Sequence, residues 1–95
     1  WREANWGLDY PFLLTMVIDP VEPDTLYVGT TGGGVFVSRS RGDLWRPLND
    51  GLWNRVITSL AIDAADHRRI YAGTEGGGVF VYEPRTDVRR WREYR

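Results

Sequence analysis

The stretch LYVGTTGGGVFVS, residues 26–38, returns as IYAGTEGGGVFVY at residues 70–82. Three consecutive glycines on their own suggest a loop that cradles a phosphate. Their return 44 residues later, from 26 to 70, suggests a turn that every copy of a repeated unit needs. Residues 1–44 laid over 45–88 without a gap agree at 18 of 44 positions. WRxxNxGL at 1–8 matches 45–52, and Ile18-Asp19 matches Ile62-Asp63. A third copy opens at WREYR, residues 91–95, where Trp91 answers Trp1 and Trp45 after two extra residues within EPRTDVRR. The chain is one repeat array over 1–95: repeat one at 1–44, repeat two at 45–88, and an outer strand at 89–95 that opens a third.

No stretch of ten residues within a repeat carries apolar positions at helical spacing. Short β-branched and aromatic runs alternate instead with Gly, Pro, Asn and Asp. They fall at 13–19, 25–30, 34–38 and 44–48, and again as VITSLAID, RIYAGT, GVFVY and RRWREY. Four short strands, A to D, in a repeat of 44 residues match one blade of a β-propeller. The expected fold is therefore all-β, with two four-stranded antiparallel repeats that form part of a larger or oligomer-completed propeller. Strand A is the most apolar and is expected nearest the central axis. In a meander the A–B and C–D turns share one end. The glycine turn (B–C) shares the other with the D–A connection NDGLWNR.

The bulk composition excludes several chemistries. Hydrophobic residues at 42% and aromatics at 14% describe a folding chain. A net charge of −1 gives no field that favours nucleic acid or an anionic membrane, and no apolar run approaches the length of a membrane helix. There is no cysteine, so disulfides, thiolate nucleophiles and zinc-finger spacings are absent. All twelve basic residues are arginine, which removes every lysine-based mechanism and with it the Walker phosphate loop. A dinucleotide fingerprint opens a helix, whereas Gly32, Gly33 and Gly34 open the strand-like VFV, as do Gly76, Gly77 and Gly78. Both triplets read as hairpin turns that need positive φ. The chain begins without methionine, as expected of a processed protein or an excerpt from a longer one.

SRSRGDLW, residues 38–45, resembles the Asp-box, or BNR repeat, with its pattern S-x-D-x-G-x-x-W. Ser38, Gly42 and Trp45 match, and Ser40 stands where the family has Asp. In the second copy Tyr82, Pro84 and Thr86 replace the Ser, Asp and Gly. The wider run NxGL, LAID and IYAGTEGGGVF is similar to blades of xyloglucanase-type glycoside hydrolases, sortilin-like ectodomains and photosystem assembly factors. The resemblance implies a propeller, a folding role for the Asp-box away from the ligand face, and an extracytoplasmic setting. It implies no one activity, because these relatives share a scaffold and differ in function.

Each candidate site also has a plain structural role. His67, the one histidine, reads as a solvated turn residue, and with no cysteine a zinc-type site is not expected. Asp19, Glu22 and Asp24 have the chemistry of calcium ligands, yet Asp and Pro also make turns, and the second copy loses Glu22 and Asp24. Glycoside hydrolysis needs two facing carboxylates. Glu75 lies in a glycine turn with only Asp50 as an acidic neighbour in prospect, and Arg55 is the arginine expected on that face. The tail RRWREYR has the composition of a stacking and phosphate patch, but Arg90 and Arg92 read as the solvated edge of an outer strand.

The ligand-binding candidates are Trp53, Asn54, Arg55 and Glu75, with Tyr10 beside Asp9 in the first copy. All project toward the glycine-turn face, where they suit a glycan or peptide; packing between blades would equally absorb the aromatics. No cofactor is expected. Two blades leave two apolar faces uncovered, so further blades of the same chain or other copies in a homo-oligomer are the expected partners. The reading is a non-catalytic scaffold or binding module, with an excerpt of a secreted glycoside hydrolase propeller as its alternative.

Overall fold

The computed structural model describes residues 13–83 and 90–93. Tyr10, the first WRxxNxGL, and the Asp-box positions Pro84 and Thr86 lie outside the described residues. The described chain is all-β: two four-stranded antiparallel sheets, with no helix among the described residues.

The first sheet runs β1 (Leu13–Ile18), β2 (Leu26–Thr30), β3 (Val35–Ser38) and β4 (Arg46–Pro47), paired in that order. The second repeats it with β5 (Ile57–Ile62), β6 (Ile70–Thr74), β7 (Gly78–Tyr82) and β8 (Trp91–Glu93). Each strand lies on one of the expected runs, and each sheet is a meander of consecutive neighbours. Even the irregularity is copied: register shifts between Leu13 and Thr15, and again between Ile57 and Ser59. Pro47 sits on outermost β4, where no further strand needs the N–H donor it lacks.

Alternation sorts the side chains into faces. Val17, Tyr27 and Val37 share one cross-strand row of the first sheet. Leu60, Ala72 and Phe80 share a row of the second. These rows meet in one apolar cluster with Val35, Ile57, Ile70, Tyr82 and Trp91. The sheets thus stack face on face, and β1 and β5 lie against each other. The approach is closest at Gly29, where a Cβ would lie 2.4 Å from Ile57 Cγ2. A smaller cluster, Val28, Phe36 and Trp45, occupies the opposite face of the first sheet.

Strand β1 combines high apolarity with exposure: Leu14, Met16 and Ile18 are all exposed. Their counterparts on β5 are covered or partly covered wherever they are apolar, because the first sheet lies over them.

Candidate functional site

The glycine turns and the D–A connection converge at one end of the sheets, as the meander requires. Thr30 begins the first turn. Its Oγ1 donates to the Gly34 carbonyl at 2.9 Å and accepts the Gly33 N–H at 2.9 Å. Thr74 repeats the first of these bonds, donating to the Gly78 carbonyl at 2.8 Å. Gly32, Gly34, Gly76 and Gly78 all adopt positive φ.

Asn49, from the NDGL motif, then clamps the first turn. Its Nδ2 donates to the Gly33 carbonyl at 3.1 Å, and its Oδ1 accepts the Val35 N–H at 2.8 Å. A Cβ on Gly34 would lie 2.1 Å from that Oδ1, so glycine leaves the room the clamp uses. The Gly34 N–H donates onward to the Arg55 carbonyl at 3.0 Å, and Thr31 bridges Val56. In the second copy the Glu75 N–H donates to the Val56 carbonyl at 3.0 Å.

Beside this frame lies an open cleft of about 480 Å³, lined by Asn49, Asp50, Leu52, Trp53, Arg55 and Arg90. Trp53 is 63% exposed, yet it is held in place. Its Nε1 donates to Glu93 Oε2 at 3.0 Å, and its ring stands edge-on to Phe80 with centroids 5.4 Å apart. Arg55 reaches back to the Leu52 carbonyl at 3.4 Å, a weak contact that leaves most of its donors to solvent. The cleft thus presents an indole and two guanidiniums around one carboxylate, a surface suited to acidic or hydroxyl-rich ligands.

The other expected residues divide. Asn54 is spent on the backbone: its Nδ2 donates to the Glu75 carbonyl at 3.0 Å and its Oδ1 accepts the Val56 N–H at 3.1 Å. Glu75 is exposed on the neighbouring turn and does not line the cleft. Arg90 is exposed, as expected, and it also lines the cleft beside Arg55, a placement not expected from the sequence. Trp91 explains this: its N–H donates to the Asp50 carbonyl at 2.7 Å, which fastens the start of β8 to the D–A connection.

The opposite end carries the serine turn. Ser38 Oγ accepts N–H groups from Gly42 at 2.9 Å and Ser40 at 3.3 Å, and Ser40 Oγ accepts the Leu44 N–H at 3.0 Å. Gly42 has φ of 92°, and Trp45 closes the turn into the small cluster. The Arg41 N–H donates to the Asp24 carbonyl at 2.9 Å, and the two side chains pair. The A–B and C–D turns therefore share this end, away from the glycine turns.

His67 overturns its expected solvated state. Its Nδ1 lies 2.9 Å from Oδ2 of Asp19, which is buried and also accepts the Val21 and Glu22 N–H groups at 2.8 and 3.1 Å. Burial alone would raise the Asp19 pKa; the bonds from His67 and those two N–H groups outweigh it and hold the carboxyl below its ordinary value. Asp19 and Asp24 are thus committed to protein partners. Among the described residues no group of three or more His, Cys, Asp or Glu is placed to hold a metal.

No family model, no curated protein and no solved structure matches the chain.

Proposed function

We propose that this chain is a pair of β-propeller blades and acts as a non-catalytic binding scaffold. It grips a glycan or peptide at the glycine-turn end, and further blades, from the same chain or from other copies, complete the propeller. The observation that carries the reading is the cleft in which Trp53, Arg55 and Arg90 stand together on a rigid frame. Exposed indoles offer a flat apolar face, guanidiniums offer paired donors, and a fixed frame lowers the ordering cost of binding.

The propeller itself is supported by two copied four-stranded meanders packed face on face with their first strands adjacent. The serine turn supports an Asp-box-like origin, because Ser40 takes the Leu44 N–H from the position where the family places its aspartate.

Glycan- and peptide-array screening of the chain tests the proposal, followed by titration of any hit against Trp53→Ala and Arg55→Ala. Both variants should fold as the parent does and lose at least tenfold in affinity, about 1.4 kcal/mol. Unchanged affinity in both removes the cleft as the site. Turnover of a bound glucan oligosaccharide would instead make the protein an enzyme.

A further inference from the structure

The described residues hold one sheet-to-sheet contact and leave exposed apolar side chains on both halves of another. The contact sets Val17, Tyr27, Val35 and Val37 of the first sheet against Leu60, Ile62, Ala72 and Phe80 of the second. Shifted by one repeat, the second group becomes Met16, Ile18, Val28 and Phe36, on the opposite face of the first sheet, where Met16 and Ile18 are exposed while Val28 and Phe36 are buried with Trp45. The first group becomes Ala61, Tyr71, Val79 and Val81, on the opposite face of the second, where Ala61 and Val79 are exposed, Tyr71 is half-buried and Val81 is buried.

The burial differences follow. Leu60 is 9% exposed and its counterpart Met16 is 48% exposed; Val35 is fully buried and its counterpart Val79 is 41% exposed. The exposed part of each face keeps the apolar character of its covered counterpart. Each is also complementary to the other, because the chain already joins that pair of surfaces once.

We propose that a second copy of this chain docks head to tail, its exposed Met16 and Ile18 covering the Ala61, Tyr71 and Val79 face of the first. This rests on the blade-pair reading above and adds to it the two surfaces and their polarity. Such a contact is heterologous, so a constant rotation per blade closes it into a ring of two to four chains, about four to eight blades. The contact between copies differs from the internal one in one respect. His67 ties the internal contact to Asp19, but its counterpart in the first repeat is Pro23. Asp63, the counterpart of Asp19, is held by Arg69 of its own turn at 3.2 Å. The docking between copies is therefore apolar and lacks that side-chain hydrogen bond.

The test is light scattering on the 95-residue chain with Met16→Arg and Val79→Arg, each at an exposed position, and with near-UV circular dichroism to verify folding. The parent chain should form a discrete oligomer and each variant a monomer. An equimolar mixture should give a two-chain species and nothing larger, since one intact head meets one intact tail. A variant that misfolds is replaced by Ile18→Glu or Ala61→Arg on the same face. A parent that stays monomeric up to about 1 mM overturns the proposal. So do variants that remain oligomeric, or a mixture that stays monomeric. Ligand binding is read separately: an oligomer that binds nothing on the arrays keeps this inference and removes the binding reading, whereas a monomer that binds does the reverse.

Discussion

His67 and Asp19, separated by 48 residues, meet at 2.9 Å across the contact between the two sheets. The pair pins the A–B turn of one repeat to that of the next. Histidine is solvated at little cost, whereas buried Asp19 loses a charge-assisted partner when His67 is removed. His67→Ala should therefore destabilise by about 1 kcal/mol, and Asp19→Ala by about 2–3 kcal/mol because it also frees the Val21 and Glu22 N–H groups. Urea titrations of the three proteins measure this.

The same pair sets an acid limit. The Asp19 pKa is lowered in the folded state, so its contribution is complete above the unfolded value of about 3.9 and is lost as pH falls from there through the lower folded value. The parent should lose stability more steeply than Asp19→Asn below about pH 4. Equal slopes in urea titrations at pH 3 and pH 6 would show that Asp19 contributes nothing to the acid sensitivity.

Gly34 and Gly78 occupy the same position in successive repeats and have φ of 82° and 81°. Substituting alanine at either forces a left-handed backbone, roughly 1 kcal/mol. Only Gly34 faces a clamp: its Cβ would meet Asn49 Oδ1 at 2.1 Å, while nothing lies within 4 Å of a Cβ on Gly78. Gly34→Ala should thus cost about 3 kcal/mol and Gly78→Ala about 1 kcal/mol. Adding Asn49→Ala to Gly34→Ala should cost less than the sum of the two, because the clash goes with the clamp. Thermal melts of the four variants decide it.

These contrasts mark what the amino-acid order discloses. The strands and glycine turns are local: alternation and positive φ are written into a few adjacent residues, and the 44-residue repeat states them twice. The ends shared by the turns follow from connectivity, and the Asn49 and Arg41 contacts agree with it. The His67–Asp19 tie is different in kind, because it depends on how one sheet stacks on the next. Arg90 in the cleft was hidden for another reason. It follows the two extra residues that break the repeat, so no aligned counterpart indicated where the start of β8 would be fastened. The exposure of β1 also depends on stacking: Leu13 and Met16 match Ile57 and Leu60 of the second repeat, which are buried because the first sheet lies over them.

Ser40 offers a gain of stability. Its Oγ accepts one N–H, from Leu44, at the position where the Asp-box pattern has a two-oxygen carboxylate. Ser40→Asp should take that bond with a charged acceptor and raise stability by about 0.5–1 kcal/mol at pH 7. The carboxylate would then have a lowered folded pKa, so the gain should vanish below about pH 4. A melting temperature that is unchanged at pH 7 would mean that the turn does not use the second oxygen.

Trp53 separates anchoring from binding. The indole N–H donates to Glu93, and the ring stands edge-on to Phe80, so the side chain is oriented although most of it faces solvent. Trp53→Phe removes the N–H but keeps a ring to stack; Trp53→Ala removes both. An edge-to-face pair contributes about 0.5–1.5 kcal/mol, so Trp53→Ala should lower stability by about 1 kcal/mol and Trp53→Phe by less. If the indole is the platform of the cleft, affinity for an array hit should fall at least tenfold in Trp53→Ala and only a few-fold in Trp53→Phe. Glu93→Gln keeps an acceptor for the N–H and should bind as the parent does. Calorimetric titration of the three variants ranks them, and equal losses in Trp53→Phe and Trp53→Ala would assign the recognition to the N–H group rather than to the ring.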